Sequence, residues 1–241
     1  KVMDWMDQGL VLSVRRHGES SAVVTLLTAH HGRHAGLVRG GQSRRLRGVL
    51  QPGNQVTATW RARLEEHLGS FVLELDRSLA APLLPFADRL AALGSLCALV
   101  DTGLPERENH PALFENTAAM ITALDSEDDS WRPYYVQWEL DFLRELGFGL
   151  DLSRCVATGG IDDLVYVSPK SGGAVSAAAG MPYRDRLLPL PGFLIGHGTP
   201  SDADILEGLA LTGHFIDKHV YAAYDRSLPA PRERLVQILR R

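Results

Sequence analysis

The sequence predicts an α+β protein: an N-terminal five-stranded β-barrel of the oligonucleotide-binding (OB) type, then a mostly α-helical domain carrying a small hairpin insertion. Two observations carry this reading. From Gly9 to Asp76 apolar residues recur with period two and are broken by glycines, the pattern of short antiparallel strands and tight turns. From Phe86 onward the apolar period lengthens to about 3.6, that of a helix. Pro82 and Pro85 punctuate the change, which places the domains at 1–80 and 81–241.

The first strand is read where Leu10, Leu12 and Val14 alternate with Val11, Ser13 and Arg15. Ala22 to Thr28 forms the second, His31 and Gly32 the turn after it, and His34 to Arg39 the third. Beyond the loop GGQSRRLRGVLQPGN lies the clearest alternation, with Val56, Ala58, Trp60 and Ala62 on one face and Thr57, Thr59, Arg61 and Arg63 on the other. Ser70 to Leu75 is the fifth strand. Five short strands in so little chain suit a closed barrel, because closure removes the exposed edges.

Three apolar stripes follow at helical spacing: Phe86, Leu90, Leu93, Cys97 and Val100; Leu113, Thr117, Met120 and Leu124; Val136, Leu140, Leu143 and Leu146. Residues 151–183 are rich in Gly, Ser and Ala and read as an irregular hairpin, with Leu164–Ser168 and Ala174–Ser176 flanking the turn PKSGG. Ser201, with Asp204 three residues on, caps a helix bearing Ile205, Leu209, Phe215 and Ile216. Pro231 opens a last short helix through Leu235 and Ile238.

Charge is distributed unevenly. The whole chain is −4, yet residues 1–78 hold Lys1 and ten arginines against seven carboxylates, +4, which leaves −8 for the remainder. Within 15–63, Arg15, Arg16, Arg33, Arg39, Arg44, Arg45, Arg47, Arg61 and Arg63 face Glu19 alone. Guanidinium forks match phosphate oxygens two-pronged, and each neutralised phosphate releases counterions, so these nine are the candidate contacts to a nucleic-acid backbone. The competing reading is a solvated basic face in a chain that prefers arginine to lysine. Trp60 is a possible base-stacking platform, but it shares the Val56 and Ala58 face and reads as a core residue.

Other chemistries find little support. No run of about 18 apolar residues suggests a membrane span, no secretory signal opens the chain, and a cytoplasmic, nucleoid-associated location is expected. Cys97 and Cys155 are too few for a disulfide framework. His30, His31 and His34 read as a polar turn, with no Asp, Glu or Cys at metal-ligand spacing. Asp151, Asp162 and Asp163 fit loop turns better than a cation site. The glycines of GLVRGG lack the helix that a phosphate loop requires. No Ser-His-Asp constellation assembles, so no catalytic residue is assigned. A protein-interaction adaptor whose barrel binds another protein stays open as the alternative, and a metal-dependent hydrolase is disfavoured.

The stretch GLVLSVRRHGESSAVVTLLTAHHGRHAGLVRGGQSRRLRGVLQPGNQVTATWRARLEEHLGSFVLE is similar to the N-terminal domain of the RecO family of recombination mediators. The resemblance continues through WELDFLRELGFGLDLSRC, LVYVSPKSGGAVS and YRDRLLPLP to LPAPRERLVQIL, covering essentially the whole chain. It implies a non-enzymatic protein that binds single- and double-stranded DNA and anneals complementary strands. It further implies loading of RecA, with RecR, onto strands coated by single-stranded-DNA-binding protein (SSB), without any nucleotide. Some members carry a four-cysteine zinc site; here CVAT stands where CxxC would, only Cys155 remains, and no cofactor is expected. The family also binds the acidic, phenylalanine-ended SSB tail through its helical domain. An acidic half requires a local pocket with apolar walls and an arginine for that, and Arg132, Trp138, Phe142 and Arg144 are the candidates.

Overall fold

The computed structural model describes residues 3–241. Lys1, counted in the basic end, lies outside them. The chain divides into two compact units, residues 1–127 with 229–235, and residues 128–228 with 236–241. The change of period near residue 80 and the division into units therefore fall at different places: two helices beyond residue 80 belong with the barrel.

In the first unit, β1 (Met3–His17), β2 (Ser21–Thr28), β3 (Arg33–Val38), β4 (Gln55–Ala62) and β5 (Ser70–Arg77) close into a barrel in the order β1-β2-β3-β5-β4. All pairings are antiparallel except β3 with β5. The long β1 serves both edges: Met3 to Leu10 pair with β4, and Gly9 to His17 pair with β2. Its first half escapes the sequence pattern because its inward positions are Trp5, Asp7 and Gly9, so no apolar alternation announces it. Val11, Val24, Leu26, Val56, Ala58, Trp60 and Phe71 fill the interior. Trp60 is a core residue, and its Nε1 donates to the Leu68 carbonyl.

His34 does not belong to a polar turn. It points into the barrel from β3, 4% exposed, edge-on to Trp5 and Trp60. Burial, together with the charge of Arg107, pushes its pKa down to about 4 and keeps the ring neutral. A carboxylate does accompany the other two histidines, from 23 and 24 residues upstream. Asp7 accepts hydrogen bonds from Nδ1 of His30 at 3.0 Å and of His31 at 2.8 Å, and from the backbone N–H groups of His30 and Gln8.

Between β3 and β4, Ser43 caps a single helical turn, α1 (Arg44–Arg47). Asn54 organises the return to β4: its Nδ2 donates to the carbonyls of Gly48 and Val49, and its Oδ1 accepts from Leu79 and Ala80. Helix α2 (Ala87–Gly103) packs on β1 and β2, with the Cys97 thiol donating to the Val11 carbonyl and Leu93 resting on Gly53. At φ +95°, and with Leu93 2.5 Å from where a Cβ would sit, position 53 requires glycine. Helix α3 (Pro111–Ala123) follows, with Pro111 at its first position.

The second unit is built on α4 (Trp131–Glu145) and a later helix. Between them run β6 (Leu164–Val167), β7 (Ala174–Ser176), the single turn α5 (Ala177–Gly180) and β8 (Leu188–Pro189), and the strands form a sheet in the order β7-β6-β8. The later helix, α6 (Asp202–Ile216), starts in a complete capping box, Ser201 with Asp204, as its sequence predicts. It packs on α4, where the buried Thr212 hydroxyl donates to the Glu139 carboxylate. Helix α7 (Ala230–Leu239) ends the chain, its residues up to Leu235 counted with the first unit and the rest with the second.

Candidate nucleic-acid interface

Strand register decides which arginines meet. Arg61 on β4 opposes Ser70 on β5, Ser70 opposes Leu37 on β3, Leu37 opposes Val23 on β2, and Val23 opposes Arg15 on β1. Residues in one such row share a face. Here it is the outer face, since Trp60, Phe71, Val38 and Val24 beside them point inward and are buried. One row thus carries Arg61 at one end and Arg15 at the other, four strand spacings or roughly 19 Å apart along the wall. The adjoining row ends Val38, Ala22, Arg16, and Arg39 follows Val38 directly.

The loop bearing α1 folds back onto this end of the barrel. The Gln42 backbone N–H donates to the Ser20 carbonyl, and its Nε2 donates to the carbonyls of Gly18 and Ser21 at 3.1 and 2.8 Å. This brace fixes the β1–β2 turn to the segment that presents Arg44, Arg45 and Arg47, and Arg16 and Arg47 line one recess with Gln42 between them in sequence. All of Arg15, Arg16, Arg39, Arg44, Arg45, Arg47, Arg61 and Arg63 are exposed, and among the described residues none lies within 4.0 Å of a carboxylate. Eight unpaired guanidiniums on a compact module are available to a polyanion.

Arg33 stands apart from them. Its Nε donates to the Leu104 carbonyl at 2.9 Å, its Nη1 lies 3.8 Å from both Asp101 and Glu106, and the side chain is 17% exposed. It fastens β3 to the chain that follows α2, which corrects its place among the phosphate contacts. Sequence reasoning missed Gln42 and Arg107. Arg107, held at φ 61°, donates to the carbonyls of Glu65 and His67 and lies over the Trp60 ring, so it pins the β4–β5 loop. Arg63 opens that loop, two residues before the pair Glu65 and Glu66.

In the second unit the four tail-binding candidates do not form one site. Trp138 and Phe142 stack on one another at 5.4 Å inside the core, 1% and 0% exposed, because they occupy the inward stripe of α4 one turn apart. Arg132 bridges Asp129 and Asp202. Arg144 alone lines a recess of about 240 Å³, together with Leu140, Leu150, Leu152, Leu194 and Asp151, while its Nη1 contacts Asp141 at 2.8 Å.

The degenerate zinc region offers a poor donor set. The Cys155 sulfur accepts the Ser176 N–H, the Ser168 hydroxyl accepts the Ser171 N–H, and position 158 is threonine. One thiol among hydroxyls does not match the four sulfur or nitrogen ligands of structural zinc. Among the described residues no three His, Cys, Asp or Glu side chains converge as metal ligands, and no helix is long and apolar enough to cross a membrane.

Comparison with known proteins covers nearly the whole chain. The N-terminal model of recombination protein O matches residues 3–75, and its C-terminal model matches residues 87–229. The chain belongs to the RecO family. It is 55% identical over 241 residues to the DNA repair protein RecO of Rhodospirillum centenum, covering 99% of this chain and 96% of that protein. To the proteins of the same name from Cereibacter sphaeroides strain ATCC 17029 and Ruegeria sp. strain TM1040 it is 49% and 50% identical, with at least 99% of each chain covered. The RecO N-terminal match covers the barrel up to residue 75, and with it every exposed arginine of the interface.

Proposed function

We propose that the protein is a non-enzymatic DNA-binding mediator of DNA repair, which grips phosphates with the exposed arginines of its barrel. The single observation that carries the proposal is the set of eight exposed guanidiniums that have no carboxylate partner among the described residues, on an OB-type barrel. Phosphate contacts hold a strand without reading its bases, so binding is sequence-tolerant and extends to both single and double strands. Neutralising two complementary strands on one basic module lowers the repulsion that opposes annealing. Membership of the RecO family supports placing this activity in the cytoplasm, at the nucleoid, where with RecR it loads RecA on SSB-coated strands. No metal or nucleotide enters the scheme. The SSB tail, acidic and phenylalanine-ended, is assigned to the Arg144 recess, whose leucines supply the apolar wall and whose guanidinium meets a carboxylate.

A fluorescence-anisotropy titration of the full chain with a random-sequence labelled oligonucleotide tests the reading. Binding that weakens steeply with salt and is indifferent to sequence is expected, together with faster annealing of complementary strands. No binding at about 50 mM salt, where phosphate contacts are strong, would favour the adaptor alternative.

A further inference from the structure

Where the β1–β2 turn meets the α1 loop, the surface sinks into a recess of about 320 Å³ lined by Val14, Arg16, Ala22, Gly41, Gln42 and Arg47. Small residues give it depth. Ala22 is 1% exposed, and a Cβ added at Gly41 would lie 2.8 Å from the Ala22 Cβ, so a larger residue at either position would intrude. Val14 and Ala22 make an apolar wall, and Arg16 and Arg47 bring two guanidiniums that have no carboxylate partner among the described residues. Gln42 commits its amide nitrogen to the carbonyls of Gly18 and Ser21, which leaves Oε1 to accept a hydrogen bond.

A convex row of arginines needs only phosphates. A recess that combines an apolar wall, a lone acceptor and two cations asks for a ligand with an anion and a flat apolar body side by side, and a nucleotide has that form. Resting on the reading of the barrel as a DNA site, we propose that this recess seats one unstacked nucleotide of a bound single strand. Its phosphate lies between Arg16 and Arg47 and its base lies against Val14, above the floor that Ala22 forms. Every base offers an N–H on its pairing edge to Gln42 Oε1, so the recess takes any of the four. A duplex must first unpair and unstack a base, at a cost of a few kcal/mol, so the recess favours single strands.

The test compares the full chain's affinity for a labelled oligothymidylate and for an abasic backbone of equal length. The wild type is expected to bind the thymidylate at least about 5-fold tighter, the low end of what one seated base contributes. Val14→Phe fills the recess without altering charge and should bring the ratio near one while binding of the abasic chain persists. A 2-aminopurine placed within the oligonucleotide should brighten on binding wild-type protein as it leaves the stack, which decides the matter even if Val14→Phe does not fold. A wild-type ratio near one, a ratio unchanged in folded Val14→Phe, or no brightening would overturn the proposal. Failure of both probes to bind at low salt would instead sink the DNA reading itself, and the recess with it.

Discussion

Arg61 and Arg15, far apart in sequence and on strands β4 and β1, stand at the two ends of a single row of paired residues that runs over β5, β3 and β2. The same Arg61 also opposes Asp4 directly on β1, so one circuit of the barrel returns to β1 eleven residues further along. That stagger, which barrel closure imposes, carries the end of β1 round to the level of β4's last arginine. The register thereby ties the two basic segments of the sequence to the two ends of one outward-facing row.

Arg15→Ala and Arg61→Ala should each weaken single-strand binding and flatten the slope of log K against log salt by about 0.7, one phosphate contact apiece. Arg33→Ala should leave that slope unchanged and lower thermal stability instead, by about 1–2 kcal/mol for the lost Leu104 hydrogen bond and carboxylate contacts. Salt titrations and melting curves of the three variants separate the two roles.

Acid should loosen the barrel in two stages. The folded pKa of His34, about 4, lies below the ordinary 6.5, so between these values the unfolded chain binds the proton and the folded one does not. Stability is therefore full above about pH 6.5 and falls as pH drops towards 4, by on the order of 3 kcal/mol. The Asp7 carboxyl is held below its usual 3.8: burial raises it, but the hydrogen bonds from His30, His31 and Gln8 outweigh that, and their contribution is lost only at still lower pH. Urea unfolding followed by tryptophan fluorescence from pH 7 to 4 should show the first stage, and His34→Phe should flatten it.

Arg144→Glu should abolish binding of an acidic, phenylalanine-ended peptide by the full chain, measured by calorimetry, and leave oligonucleotide affinity within about two-fold. Trp138→Ala should act through folding, costing about 3–5 kcal/mol for a buried aromatic, with no selective effect on the peptide.

Much of the architecture is legible in the sequence because its signals are local. Period two gave way to period 3.6 where strands gave way to helices, and Ser201 with Asp204 marked a helix start that needs only four residues to specify. The first half of β1 was hidden because Asp7 and Gly9 occupy inward positions where a strand normally shows apolar residues. The single turn of α1 is too short to display a period. At the interface, residue type pointed to the arginines, but whether each is free is set by contacts distant in sequence, as where Arg33 meets Leu104; in the same way Asp7 meets His30 and His31 elsewhere in the barrel. Trp138 and Phe142 misled because an aromatic on a helix is equally suited to a groove or a core, and only the packing of the second unit distinguishes the two.

The most direct measurement of the central claim is a salt titration of single-strand binding by the full chain and by its Arg44→Ala, Arg45→Ala, Arg47→Ala triple variant. All three side chains are exposed on one helical turn and none packs in the core, so the fold should persist. Loss of three phosphate contacts should make the slope of log K against log salt shallower by about two. A folded triple variant with the wild-type slope would contradict the assignment of this basic surface to DNA.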